Sequence, residues 1–466
     1  MSKNKFFVGT PLCIFIYIFI STSLIFAQAS PNWIELKSDT NTYSVPSISK
    51  PGYLESYTDP VFGTKVTRIT GDQGSPIITK DGQTIGTWGE VVKHHYSKDQ
   101  PWNADGSLIH IVRNNGGSPS SLFLDGETYE VLFARSVPGQ DNRWHPVDPD
   151  LKIFVSGNRI GYFNVHTGSA QILHTFSDYS RIDIGPYEAN FSRDGRQVVL
   201  YGDSNWVFAY DLSIDKVYPR KQASSIDWAG ISPLGNYVVI MYNDTNTQVF
   251  DLNMNFISQF TTNQNHYDMG LDLNGDEVAV GLSKSSEYSG KIIYHRLRDA
   301  QFRVLTTGGY GIHTSMRSNL SGWAFSAMHA VTRYPPYNGE ALAIRTDGNL
   351  VYRLAHMHNN QVNYDSEAFP VVSVEGGRVM FGSNWGESDG YPVSTYVVDF
   401  RSSSETSPPA TPGDANGDGR VDGIDYVIWL SHYNQNTSAG SSEGDFNSDG
   451  KVDGVDYVVW LQNYQG

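Results

Sequence analysis

Hydrophobic and polar residues alternate along most of this chain in short runs set off by turn signals, and one such run recurs. In YEANFSRDGRQVVLYG, Tyr187 to Gly202, a short strand-like stretch leads to an Asp-Gly turn at Asp194-Gly195, and in the run after it Val198 and Leu200 share one face. That period of two is the period of a β-strand, and Asp-Gly between two such runs signals a hairpin. The same layout stands at Asp227 to Tyr242 around Leu234-Gly235 and at Tyr267 to Leu282 around Asn274-Gly275, each turn 40 residues after the last. Looser copies at Asp105-Gly106, Pro149-Asp150, Ser321-Gly322 and Glu375-Gly376 bring the number to seven.

A repeat of this length with several short strands per unit predicts an all-β protein, a seven-bladed β-propeller in which each blade is a four-stranded sheet. Outer strands are legible at Gln248 to Leu252 and Phe256 to Phe260, and again at Glu340 to Arg345 and Leu350 to Leu354 about Asp347-Gly348. Pro60 to Thr70 precedes the first full unit. It is expected to close the ring by pairing with the last blade, Arg378 to Ser383 and Ser394 to Phe400.

Of the 466 residues, 39% are hydrophobic and 13% aromatic, enough for a sizeable core. Residues 1–29 combine Lys3 and Lys5, an apolar run from Leu12 to Phe26 and Ala27-Gln28-Ala29, the layout of a secretory signal peptide cleaved before Ser30. The alternative is an uncleaved anchor, but about 15 apolar residues are short for a span. The mature chain is therefore expected to be extracellular, with no membrane span. The one cysteine, Cys13, lies inside that run, so the mature chain has no disulfide, which suits a secreted protein large enough to do without staples. Removing Lys3 and Lys5 takes the net charge from −16 to −18, which disfavours nucleic acid as a partner.

The propeller is expected over 30–401. Residues 402–412, SSSETSPPATP, read as a Ser/Thr/Pro linker. Beyond it, DANGDGRVDGID, Asp414 to Asp425, sets oxygen-bearing Asp414, Asn416, Asp418, Asp422 and Asp425 at loop positions 1, 3, 5, 9 and 12, with Gly419 at 6 for the sharp turn. DFNSDGKVDGVD, Asp445 to Asp456, repeats the set 31 residues later with Asp445, Asn447, Asp449, Asp453, Asp456 and Gly450. Such spacing suits calcium, which takes six to eight hard oxygens, one of them a backbone carbonyl at position 7, here Arg420 or Lys451. Two calcium ions are expected. Each loop holds four carboxylates whose repulsion couples folding to metal binding.

Each loop is followed by one helical run, YVIWLSHY or YVVWLQNY, with none before it, and position 12 is Asp where an EF-hand has Glu. On these features residues 413–466 resemble a dockerin domain of type I. The resemblance implies a cohesin-bearing scaffold or cell surface as partner, and the repeats VDGIDYVIWL and VDGVDYVVWL would present similar faces twice. At positions 10 and 11, Gly423-Ile424 and Gly454-Val455 replace the small hydroxyl residues common in dockerins.

For the propeller, the loop leading into each innermost strand opens at one mouth of the central channel. Counting back from the turns places His266, His313 and Glu367 there, with His94, His95, Tyr96, His145, Tyr187, Glu188, Asp227, Trp228, Tyr267, Asp268 and Arg317 nearby. Two chemistries follow. Histidines from separate blades suit a divalent metal such as manganese, zinc or iron. Alternatively His266, His313, His95 or His145 serves as base and Tyr267 as acid, with Arg317, Arg181 or Arg143 offsetting a uronate carboxylate, which makes a β-eliminating polysaccharide lyase. The competing reading is that these polar groups lock neighbouring blades. Trp144 and Trp228 suit either stacking on sugar rings or packing between blades.

The repeated turn motif over about residues 55–400 resembles TolB-like propellers and oligogalacturonate lyases. That family binds metal through a Gln and an HxH pair at the start of a late blade. Here HMH, His356 to His358, stands several residues earlier, and Glu367 and Phe369 occupy the expected place, so that metal site is not carried over. No HExxH, GxSxG or GxxxxGK[ST] motif occurs. The functional expectation is a secreted, dockerin-bearing propeller acting on uronate-containing polysaccharide; the alternative is a non-catalytic propeller binding glycan or protein.

Overall fold

The computed structural model describes residues 31–186, 188–243, 246–330, 334–402, 412–416, 420–437, 440–447 and 450–464. The leader at 1–29, linker residues 403–411, Tyr187, Asp418, Gly419 and Asp449 lie outside the described residues.

Five consecutive sheets of four antiparallel strands occupy 141–175, 182–222, 226–259, 264–304 and 311–356, each with its strands in chain order. These are blades 2 to 6. Blade 7 is shared between the two ends of the chain. Val371–Val372, Arg378–Ser383 and Ser394–Asp399 are completed by Lys65–Arg68 and then Ser56–Thr58. The register Lys65↔Asp399, Val66↔Val398, Thr67↔Val397, Arg68↔Tyr396 is the expected closure of the ring.

Blade 1 is irregular. Its sheet is Leu108–Ile111, Leu122–Asp125 and Val131–Ala134, with an inner bridge from Trp102 to Ile109. Two further hairpins flank it, Pro76–Ile78 with Thr84–Thr87 and Val91–Lys93 with Arg113–Asn115. The first turns at Asp81-Gly82, where Gly82 takes φ +86° and donates its N–H to Thr79 O at 2.8 Å, but neither hairpin falls on the repeat's spacing.

The alternation explains how the blades pack. Val198 and Leu200 are fully buried against Ile153, Val155 and Ile160 of blade 2, whereas Val199 between them faces Ala229, Ile231 and Ile240 of blade 4. A strand inside a propeller is thus apolar on both faces, which is why VVL is unbroken, and each such side chain contributes about 1.5–3 kcal/mol by leaving water. At the turn, Gly195 takes φ +74° and donates its N–H to Ser192 O at 2.9 Å, a conformation that disfavours any residue with a Cβ.

Outside the repeat, residues 31–41 strap blade 6 to blade 7. Trp33 bridges to Arg401, donates Nε1–H to Gly376 O at 3.0 Å and packs its ring on Trp323 and Phe400. Lys37 bridges to Arg353, whose guanidinium holds Glu340 and also reaches Asp39 Oδ1 at 3.2 Å and Asn41 O at 2.6 Å. Both Arg353 and Glu340 have fully buried side chains. Burial lifts the Glu340 carboxyl and Arg353 opposes it.

Arg353→Met is expected to destabilise the propeller by about 3–5 kcal/mol, since it strands a buried carboxylate. Adding Glu340→Gln should recover part of that loss. Urea unfolding followed by tryptophan fluorescence measures both, and an unchanged midpoint in Arg353→Met would refute the role.

Candidate functional site

Two adjacent inner strands break register where their histidines stand, between Asn265 and Asp268 in blade 5 and between Gly311 and Thr314 in blade 6. Such bulges re-aim side chains. His266 sits at φ +46°, a strained conformation for a side-chain-bearing residue, with its N–H held by Asn265 Oδ1 at 2.6 Å. The result is a stacked pair of imidazoles: the rings of His266 and His313 lie 4.3 Å apart at 10°.

The tautomers follow from the partners. His266 Nδ1 is 2.6 Å from Ile312 O, a carbonyl that can only accept, so the proton is on Nδ1 and Nε2 carries the lone pair. Burial, then the neighbouring His313, lowers the His266 pKa to about 4, and the ring is neutral at pH 7. His313 Nε2 donates to Glu367 Oε2 at 2.7 Å. Burial also keeps His313 neutral and raises the Glu367 carboxyl. Tyr96 and Phe369 pack edge-on against His313 at 5.1 and 4.7 Å, and burial drives the Tyr96 phenol well above its ordinary range, so it keeps its proton.

Three lysines stand near the pair. Lys98 is buried over the Trp228 ring, 4.0 Å from its centroid, and binds Glu188 at 2.6 Å. Exposed Lys284 lies close enough to act electrostatically on His266, His313 and Glu367. Lys93 donates to the carbonyls of Asp365 and Glu367 at 2.7 and 3.0 Å, and burial lowers its pKa to about 7. Neither Lys93 nor Lys98 stands out in the sequence, because the strand Val91–Lys93 and the loop after it belong to the irregular first blade.

The other expected catalytic residues are not gathered here. Tyr267 is wholly buried between Trp228 and Phe260, with its hydroxyl 3.2 Å from Thr247 Oγ1, so it packs the blade interface. Arg317 follows its inner strand instead of preceding it. Its guanidinium grips Asp268 and donates to Met269 O at 2.6 Å, tying blade 6 to blade 5. His145 likewise follows a strand, and its Nδ1 accepts from the amides of Val147 and Asp148 at 3.2 and 2.9 Å, capping a turn at the opposite mouth. His95 pairs with Asp99 at 3.3 Å in a network with Arg143 and Asp141. His94 bonds Phe369 O at 2.6 Å and His356 bonds Asp59 at 3.0 Å, both joining distant segments. Among the described residues no three His, Cys, Asp or Glu side chains converge on one metal position.

In the C-terminal unit the described residues of the two repeats form matching loop-helix arrangements. Helix α1, Gly423–His432, is capped by Asp422 and helix α2, Gly454–Asn463, by Asp453, each in a capping box with the aspartate three residues on. Asp425 Oδ1 accepts from the amides of Ala415 and Asn416 at 2.8 and 3.1 Å, and Oδ2 from Asp422 N at 2.8 Å. Asp456 does the same with Phe446, Asn447 and Asp453. The repeats also clasp each other: Trp429 Nε1 donates to Asp453 O, and Trp460 Nε1 to Asp422 O. Asp414, Asp425, Asp445 and Asp456 are all buried. Buried carboxylates with Asn416, Asn447 and the Arg420 and Lys451 backbone nearby in the loops form a hard-oxygen set that fits calcium. Ile424, Val427 and Leu430 on α1 with Tyr433 just after it, and Val455, Val458, Leu461 and Tyr464 at matching positions of the second repeat, are exposed.

Residues 412–464 match the family described as Dockerin type I domain. Dockerin domains bind calcium and imply a cohesin partner and attachment to a scaffold. No curated protein matches the sequence. Among solved structures the chain is similar to the oligogalacturonate lyase of Vibrio parahaemolyticus, at 12% identity and TM-score 0.52, over 78% of this chain and 98% of that one. It is also similar to an oligogalacturonate lyase in complex with manganese, at 13% identity and TM-score 0.51, over 77% and 98%. At these identities the likeness is one of fold. The chain is thus a seven-bladed β-propeller followed by a type I dockerin domain, and no helix of the described residues is long and apolar enough to cross a membrane.

Chelation with EDTA is expected to reduce the helical circular dichroism of a fragment containing residues 412–466 and to restore it on adding calcium; an EDTA-insensitive spectrum would contradict the calcium assignment. The propeller has its own pH dependence. His266 and His94 have folded pKa values lowered to about 4 and 3 from 6.5, so the unfolded chain binds more protons between those values. Stability is then full above pH 6.5 and declines as pH falls toward 4. Thermal midpoints across that range should fall, and less steeply in His266→Gln.

Proposed function

We propose that the protein is secreted, is held on a cohesin-bearing scaffold through its dockerin, and uses the histidine mouth of the propeller to cleave uronate-containing polysaccharide by β-elimination. The observation that carries this reading is His266, a neutral imidazole with Nε2 unbonded among the described residues, set beside the cations Lys98 and Lys284. Nε2 takes the proton α to the uronate carboxylate, a proton that becomes removable once cationic charge offsets that carboxylate. The bond to the leaving sugar breaks as the double bond forms, and the imidazolium returns its proton to the leaving oxygen. His313, fixed by Glu367, positions His266 by stacking beneath it. Lys98 and Lys284 take the charge-offsetting role expected of Arg317. The activity of the two similar structures, oligogalacturonate lyase, agrees with this chemistry.

A second reading has its own support. Glu188 and Glu367 stand at the same mouth, and a site balanced in charge suits a neutral glycan or a protein ligand without chemistry.

The two readings separate on one assay: ultraviolet absorbance of the unsaturated uronate product on incubating the mature chain with pectic, alginate and ulvan fragments, with and without EDTA or added manganese. The lyase reading expects a rise that falls by about 10²–10⁴ in His266→Ala with the fold intact. A flat trace on every substrate leaves the binding module.

A further inference from the structure

At the mouth opposite the histidine pair, where the inner strands end, segments of six blades enclose a cavity of about 700 Å³, its opening included. Trp102, Trp144, Phe191 and Met316 make much of its wall. No Asp or Glu lines it, although the chain carries 49 acidic residues against 33 basic ones. The exclusion of carboxylates from one concave surface of so acidic a protein gives that surface a distinct electrostatic character.

Arg193 dominates it. Its Nη2 donates to Ser318 O at 3.0 Å, and no carboxylate of the described residues pairs with it. The two carboxylates that act on it from farther off are engaged: Asp268 holds Arg317, and Glu277 accepts from Leu234 N and Asn236 Nδ2. Burial, then the charge of Arg317, lowers its pKa to about 10, the mark of a guanidinium short of compensating charge. Two more polar groups, in residues around the cavity, are unsatisfied. Ser318 Oγ and Trp102 Nε1, in side chains exposed by 2% and 0%, make no hydrogen bond. Buried polar atoms without partners are uncommon and call for a ligand or solvent.

We propose that this cavity binds a small monocarboxylate with a ring-sized, largely flat body, its carboxylate on Arg193 and its ring against the apolar wall that Trp144, Phe191 and Met316 provide. One surplus guanidinium matches a single negative charge, and its planar fork matches a carboxylate. The aromatic wall suits either an aromatic acid or the apolar face of a sugar acid. This site is independent of the chemistry at the histidine mouth.

Calorimetric titration of the calcium-loaded full chain with benzoate and with galacturonate, against neutral benzamide and galactose, tests the site. The expected result is saturable binding of at least one acid, at least tenfold weaker for its neutral partner. Arg193→Gln should weaken it at least tenfold, about 1.4 kcal/mol. Should Arg193→Gln fail to fold, Ala104→Phe, which fills the cavity from its wall, is expected to abolish binding. Which acid binds identifies the ligand as aromatic or sugar-derived. Dissociation constants above about 10 mM for both acids, equal binding of the neutral partners, or binding indifferent to both cavity variants would overturn the proposal.

Discussion

The pairing of Lys65–Arg68 with Ser394–Asp399 is the contact on which the rest of the propeller depends. Every blade packs by burying both faces of its strands against two neighbours, so an open ring would leave two apolar faces in water. The chain closes that gap with strands from its two ends, which makes the ring cooperative over its whole length. Residues 31–41 reinforce the joint, with Trp33 wedged by Phe400 and Arg353 clamped on Glu340. A rigid ring is also what allows side chains from different blades to hold positions at the channel mouths.

At the histidine mouth that rigidity is spent on unfavourable local geometry. A bulge in each of two neighbouring inner strands, a positive φ at His266 and another at Phe369 bring one imidazole over the other. Burial then keeps both rings neutral, while Glu367 on the next blade orients the lower one. A neutral base whose second nitrogen is tied to a carbonyl is a common requirement for proton abstraction at neutral pH. The opposite mouth differs in kind: its groups are aromatic rings and an arginine without a carboxylate, suited to holding a ligand and offering no base in the same arrangement.

The dockerin domain solves the problem of small size differently. Its helices have ten residues each, too short to be stable alone. Stability comes from reciprocity: each loop aspartate caps its own helix, and each tryptophan bonds the other repeat's loop. The carboxylates buried by this arrangement need a cation, so metal and fold are linked. The apolar residues left exposed on matching sides of both repeats fit a protein partner.

How much of this was legible beforehand follows from which interactions are local. Turn glycines, strand alternation and the spacing of loop aspartates are local, and from them the seven blades, the ring closure and the calcium-binding dockerin could be read. Blade 1 was legible only at its Asp105-Gly106 turn; its two flanking hairpins and the strap at Trp33 were not, because they lie off the repeat's spacing. The site was half legible. Counting back from the turns reached His266, His313 and Glu367, because each lies near the start of an inner strand or just before it. The same counting drew in Arg317 and His145, which follow their strands and belong to the other mouth, and Tyr267, whose side chain turns into the blade interface. Which face a side chain takes at a bulge, and which buried cation from an irregular blade stands beside it, depend on contacts between residues far apart in the chain. Tertiary packing alone decides those, because only the closed ring brings them within reach.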